Sequence, residues 1–309
     1  MRRKVMKKIL SIIVMMSMLL VGCSTSSKKT EEVKILTPNG APALSLLGVY
    51  EEVMKKGSIR IVEGSDLLSS ELIKSDSEYD VIVAPINLGC QLLAKGKTEY
   101  KLAGVLTWGN LYLIQNEAVN NNELAAFGEQ AVPGKIFNLV KDSNDIMKNA
   151  KTTYYNAVSD VQAQVLAGKC EYALMAEPAA TATIAKAKQN GKTLKIVASL
   201  QDLYQKQSGS KQTGYPQAAL FVKNKADVKE LLSQIDTFTN TDAVKENNQI
   251  EELVEKIGAE TFGVPSAAIA SKTWKNQNIH YQDASSVKED VQSILKAFQI
   301  DYSDDMLAN

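Results

Sequence analysis

Few side chains in this 309-residue chain can do covalent or metal chemistry, and that scarcity narrows what it can be. The single histidine is His280, and no HExxH or paired-cysteine spacing exists. Zinc, copper or haem would find almost no ligands, so no metal or cofactor is expected. General acid–base work needs a positioned group with a tuned pKa. Glu177 and Asp80 are the only carboxylates at promising loop ends, and no Ser–His or Cys–His pair is set up around His280. Past residue 3 the only arginine is Arg60, the residue type best suited to fork an oxyanion. It alternates with apolar neighbours in Ser58-Ile59-Arg60-Ile61-Val62, which makes it a solvated strand residue. What remains suits binding. Trp108 and Tyr215 offer flat rings, Asn39, Asn87 and Asn110 offer amides, and Glu177 can accept from an amino group or balance a cation.

Cys23 stands in a context of its own. Arg2, Arg3, Lys4, Lys7 and Lys8 precede an apolar run from Ile9 to Val21, broken only by Ser11 and Ser17. A basic segment, a short apolar segment and small residues in that order make an export signal. The run is shorter than the roughly 20 residues of a membrane span. The junction Leu20-Val21-Gly22-Cys23 resembles a bacterial lipobox. That implies removal of residues 1–22, acylation of Cys23 by a palmitate-class lipid, and anchoring on the extracytoplasmic face of a cell membrane, with a Gram-positive-type surface favoured. The other reading is a plain signal peptide or uncleaved anchor with an incidental cysteine. Ser24 to Glu32 contains no apolar side chain, so residues 23–32 are read as lipidated cysteine and flexible tether.

Charge and size bound the rest. The chain carries 35 basic and 35 acidic residues, and the five cations lost with the leader would leave a mildly acidic protein. A nucleic-acid binder needs a clustered basic face, so nucleic acid is not an expected partner. About 275 residues is long for one hydrophobic core, and two lobes are expected. Cys90 and Cys170 are expected as buried free thiols, although an exported protein could join them.

Short apolar runs alternate with segments of helical period. The first set reads as strand Val33–Leu36, helix Ala43–Lys55, strand Ile59–Val62, helix Ser69–Lys74, strand Asp80–Pro85, helix Leu88–Lys95 and strand Lys101–Thr107. A second set follows Asn120-Asn121-Asn122. It comprises strand Gln130–Val132, helix Ile136–Ala150, strand Thr152–Tyr155, a helix from Ser159 to Ala167, strand Glu171–Ala176, a helix from Pro178 to Lys188 and strand Lys195–Ala198. Ser208 to Gly214 reads as a linker, Ala218–Val222 as a strand, and from Val228 onward nearly everything as helix. The alternation argues for βαβ units around mostly parallel sheets.

Three strands end in a Pro-containing turn that opens a helix: Thr37-Pro38-Asn39-Gly40-Ala41-Pro42, Ala84-Pro85-Ile86-Asn87 and Ala176-Glu177-Pro178. Proline at a first helical turn is ordinary start chemistry. In open α/β sheets, however, ligands bind at the carboxyl ends of strands, where helix N-termini supply free N–H groups.

The order of segments resembles the extracytoplasmic substrate-binding proteins of ABC importers, in the branch serving thiamine precursors, alkanesulfonates, taurine and nitrate. The matching residues are Tyr79-Asp80-Val81-Ile82-Val83-Ala84-Pro85 and the stretch Gln164 to Pro178, containing Gly168, Glu171, Tyr172, Glu177 and Pro178. Glu171 stands where the family usually has aspartate. The resemblance implies an α/β, two-lobed periplasmic-binding-protein clamshell of type II, each lobe a mostly parallel sheet flanked by helices. Lobe I would comprise 33–108 and 216–309 and lobe II 109–215, with crossings near Trp108-Gly109-Asn110 and between Gln207 and Pro216. It further implies a non-enzymatic, monomeric solute receptor that hands a small-molecule ligand to an ABC permease and its ATPase. The expected contacts are Asn39, Gly40, Ala41, Pro42, Pro85, Asn87, Trp108, Asn110, Gly134, Glu177 and Tyr215. For Trp108, packing between lobes is the competing reading. The preferred ligand is a neutral or amine-bearing heteroaromatic of vitamin-precursor type. The alternatives are a sulfonate- or nitrate-type anion held by backbone N–H groups at Asn39-Gly40-Ala41 or Gly134-Lys135, a ligand-sensing lipoprotein, and an enzyme on the same scaffold.

Overall fold

Aliphatic and β-branched runs set the strands, and two sheets collect them. In the computed structural model, which describes residues 32–223, 226–241 and 248–308, the strands of the first sheet are β1 (Lys34–Pro38), β2 (Ser58–Val62), β3 (Val81–Pro85), β4 (Tyr100–Thr107), β10 (Ala218–Lys223) and β11 (Ile279–Asp283). They lie in the order β11-β4-β10-β3-β1-β2. The second sheet holds β5 (Leu111–Asn116), β6 (Glu123–Phe127), β7 (Lys151–Tyr155), β8 (Tyr172–Ala176) and β9 (Leu194–Ser199), in the order β7-β6-β8-β5-β9. Helices α1 (Ala41–Leu44), α2 (Tyr50–Lys56), α3 (Asp66–Ile73) and α4 (Ile86–Ala94) belong to the first half of the chain. Helices α5 (Val132–Val140), α6 (Asp145–Asn149), α7 (Val158–Ala167), α8 (Ala179–Gln189) and α9 (Leu200–Ser208) accompany the second sheet. Then come α10 (Lys229–Asn240), α11 (Asn248–Ile257), α12 (Ala267–Thr273) and α13 (Lys288–Ala297). The lipobox, Cys23 and the tether lie outside the described residues. Among the described residues no helix is long and apolar enough to cross a membrane.

Both sheets are mixed α/β sheets with one shared departure from the expected parallel order. In the first, β10 runs antiparallel between β3 and β4; in the second, β5 runs antiparallel between β8 and β9. Each inserted strand is delivered from the other sheet by a crossover. β4 ends at Thr107 and β5 begins at Leu111, and after α9 the chain returns through Gly209–Gln217 into β10.

β3 shows why its run is continuously apolar. Val81 and Val83 join the cluster of Ile35, Ile59 and Leu220, whereas Ile82 and Ala84 join that of Leu36, Leu102 and Phe221. Both faces are dry. The second sheet is tied at its lower edge by Glu171, whose carboxylate accepts from the N–H groups of Asn121 and Asn122 at 3.1 and 2.9 Å. Burial pushes that carboxyl up, but these N–H bonds together with hydrogen bonds from the Tyr172 and Gln115 side chains hold Glu171 below the usual carboxylate range.

Several expected elements differ. The strand expected at Gln130–Val132 is the turn that leads into α5, which starts at Val132 with Pro133 in its first turn, and the strand is Glu123–Phe127 instead. The helix expected over Ala43–Lys55 is two short helices, and that over Ile136–Ala150 is broken at Asn144, whose side chain accepts from Met147 N–H and caps α6. β5 and α9 fall where no element is expected, and β11 lies in a stretch expected to be nearly all helix. Cys90 and Cys170 are free and buried, and burial lifts their thiols to about 12 and about 11.

Candidate functional site

The carboxyl ends of β3 and β8 meet the two crossovers, through Ile86 N–H on Gln217 O and Glu177 N–H on Asn110 O, and the expected contacts can be placed one by one. Asn39 and Gly40 form the turn after β1. Their N–H groups donate to Val62 O at 2.9 Å and Phe262 O at 2.8 Å, and Gly40 sits at φ +79°. Ala41 is buried and Pro42 half-buried. Gly134 donates to Gly128 O and Lys135 to Ala131 O, and a Cβ on Gly134 would lie 2.4 Å from Glu129 O. Gly134 is therefore a packing glycine. Of the backbone N–H groups offered to an anion at these two places, those of Asn39, Gly40, Gly134 and Lys135 are taken by the protein's own carbonyls. Arg60 is exposed, and its guanidinium donates to the Tyr79 hydroxyl, before β3 begins and away from its carboxyl end.

Trp108 and Tyr215 correct the aromatic expectation. Both are fully buried. The Trp108 indole stacks on His280 at 5.3 Å between ring centroids, and its Nε1–H donates to His280 O. Tyr215 packs edge-on against Tyr204 and covers Gly109, where a Cβ would fall 2.6 Å from the ring. Neither ring has a free face for a ligand; of the two readings of Trp108, the packing one describes this arrangement.

These rings belong to a knot that holds the crossovers together. The Trp108 carbonyl accepts from Tyr215 N–H at 3.1 Å and from Asn278 Nδ2 at 2.8 Å. Asn278, in the left-handed region at φ +52°, also donates to Thr213 O at 2.6 Å, and its own carbonyl accepts from Trp108 N–H. Gly214, at φ +103°, lets the strands approach; a Cβ there would sit 1.8 Å from Trp108 O. Asn278 escaped the sequence reading, although an asparagine after Asn276-Gln277 is a turn signal.

Beside the knot runs a polar chain. Asn110 Nδ2 donates to Glu177 O at 2.9 Å, and Gln217 Nε2 donates to Asn110 Oδ1 at 3.0 Å. The Glu177 carboxylate turns to α8, accepting from Thr181 N–H and Oγ1–H at 3.0 and 2.7 Å. It caps a helix, a stabilising place for a negative charge. Asn110 and Glu177 are thus brought together, as parts of the scaffold. Pro85 and Asn87 flank the start of α4, both half-buried. Across the gap, Tyr112 on β5 donates its hydroxyl to Asn276 O. Burial foremost, then the Glu177 charge, raises the Tyr112 phenol far above its ordinary range.

No protein-family model matches the chain, and no curated protein matches it. Solved structures do. An ABC transporter protein from Parabacteroides distasonis is 23% identical, with 86% of this chain and 91% of that chain covered and a TM-score of 0.71. The zinc-bound ligand-binding component of an ABC-type import system from Staphylococcus aureus is 11% identical over 90% and 96%, with a TM-score of 0.62. The periplasmic aliphatic sulphonate binding protein SsuA from Escherichia coli is 14% identical over 86% and 87%, with a TM-score of 0.57. The fold is that of ABC-import binding components. At these identities the likeness carries the two-lobed architecture.

His280 yields a pH prediction. Burial beside Trp108 lowers its pKa to about 4. The unfolded chain takes a proton near pH 6.5 while the native state stays neutral, so stability falls as pH drops from about 6.5 toward about 4, by up to ~3 kcal/mol. Denaturant unfolding across that range should show a shallower loss for His280→Gln than for the wild type; parallel curves would contradict the assignment. For the knot, Gly214→Ala should lower stability by ~2 kcal/mol or more through overpacking and strain. An unchanged unfolding midpoint would show that the crossovers can separate freely.

Proposed function

We propose that this chain is the solute-capturing lipoprotein of an ABC importer: anchored outside the membrane through Cys23, monomeric, and delivering a small organic solute to a permease and its ATPase. One observation carries the reading. Each sheet receives a strand from the other through a crossover, and the crossovers are bolted side by side, so two rigid lobes share one narrow axis. Such an axis lets walls at the strand ends close on a solute and present a different surface when closed. The walls here are the β3–α4 turn with Asn87 and the β8–α8 turn with Glu177.

A flat-ring platform from Trp108 or Tyr215 does not contribute to this reading. The amides do, and with the one arginine of the body turned to the Tyr79 hydroxyl they favour an amine-bearing organic solute over a sulfonate or nitrate. Zinc, named for the staphylococcal protein, has no counterpart among the described residues, where no group of three or more His, Cys, Asp or Glu could hold a metal.

The reading is tested by a thermal-shift panel of vitamins, pyrimidines, amino acids and sulfonates. A solute at a hundredfold its Kd should add about 2.7 kcal/mol of stability, several degrees for a body of this size. A panel that leaves the melting point unmoved throughout would overturn solute capture. Separately, Cys23→Ala should release the protein from membranes of cells that express it; retention would refute the lipid anchor.

A further inference from the structure

We infer that the clamshell opens on one flank only: the face covered by α5, α9 and α13 stays joined, and α12 parts from α8 on the opposite face to admit the solute. This rests on the solute-capture reading and adds the side from which the solute enters.

Side chains alternate across a strand, so each sheet has two apolar faces. In the second sheet Leu113, Ala126 and Leu174 join one core, together with Ile136 of α5 and Leu200 of α9. Their neighbours Ile114, Ala125 and Ala173 join another, with Val161 of α7 and Ala180 of α8. In the first sheet Ile82, Leu102 and Phe221 face one way and Val83, Ala103 and Leu220 the other. The cores of Leu113 and Ile82 are a single cluster, which also holds Trp108 and Tyr215. Those of Ile114 and Val83 are separate. Apolar packing therefore runs unbroken past the crossovers on one face and stops on the other.

α13 braces the joined face. Val291, Ile294, Leu295 and Phe298 are buried in the same cluster as Ile136 and Tyr204 of the second-sheet helices. Three side-chain contacts tie this helix across. Ser210 Oγ donates to Asp290 Oδ1, the Tyr204 hydroxyl has Ser293 as a hydrogen-bond partner, and Lys135 Nζ lies 5.5 Å from the centre of the Phe298 ring. Ser210 belongs to the return crossover, so α13 is fastened to the axis itself. Parting here would bring aliphatic and aromatic side chains into water.

On the opposite face α12 comes against α8, but their cores do not merge. Ala267 and Ala270 of α12 pack with Leu44 and Val254 on the first-sheet side. Ala180 and Ala187 of α8 pack within the second sheet's own cluster. The Tyr112 hydroxyl reaches over to Asn276 O at 2.9 Å, and Asn276 is exposed. Separation on this face leaves both cores closed and exchanges that bond for one to water, a small cost beside wetting the α13 seam. The turn carrying Glu177 opens α8, so one of the two walls lies on the flank that moves.

The test measures separations across both flanks by double electron–electron resonance, on the full-length chain in detergent with no solute added. Cys23→Ser leaves the buried Cys90 and Cys170 as the only native thiols. Nitroxide labels then go on exposed positions: Lys186→Cys with Lys272→Cys across α8 and α12, and Lys206→Cys with Lys296→Cys across α9 and α13. The α8–α12 pair should show a second, longer separation, displaced by more than the ~2 Å that marks a domain rearrangement. The α9–α13 pair should show one separation only. A second separation at α9–α13, whether or not α8–α12 also has one, overturns the inference and leaves solute capture standing. A single separation at both flanks overturns the inference together with the opening clamshell on which it rests.

Discussion

One carbonyl group sets the terms for the rest of the molecule. Two backbone segments must pass side by side between the sheets, through a core where water cannot serve their polar groups. Trp108 O meets this demand by taking two donors at once, the Tyr215 amide and the Asn278 side chain. Gly214 is required because any larger residue would collide with that oxygen, and Asn278 must adopt a left-handed backbone to present its amide to both strands. The Trp108 indole then closes the top of the knot against His280. The order of both sheets follows, since each inserted strand leaves this point in the direction opposite to its new neighbours.

The same constraint decides which side chains surround the crossovers. Aromatic residues there are consumed as packing, and the amides of Asn110 and Gln217 lie just outside. Asn110 and Gln217 continue the knot outward as a chain of amides with a direction imposed by Glu177 O. Glu177 keeps its carboxylate on Thr181, which holds the start of α8 against the crossover.

Legibility from sequence tracked how local the determining physics is. β3 was readable because five apolar residues in a row admit few alternatives, and Gly168 marked the end of α7 through its left-handed conformation. β5 and β11 were not, because Leu111–Asn116 and Ile279–Asp283 become strands through partners far away in the chain, β8 and β9 for one and β4 for the other. The site divided in the same way. Asn87 and Asn110 were legible as polar residues at strand ends. Gln217 and Asn278 were not, since their roles exist only once residues more than a hundred positions apart are joined. Trp108 and Tyr215 show the converse: an aromatic beside a glycine suggests a ligand platform, yet the glycine is there to admit the ring.

Solute capture as proposed needs crossovers that stay fixed while the turns at α4 and α8 move. Amide hydrogen exchange, resolved to single residues in the native protein, tests it most directly. The N–H groups of Trp108 and Tyr215 should exchange only through global unfolding, among the slowest in the chain, while those opening α4 and α8 exchange far faster. Rapid exchange at Trp108 and Tyr215, with the centres of both sheets still protected, would show that the crossovers part without unfolding and would contradict the account.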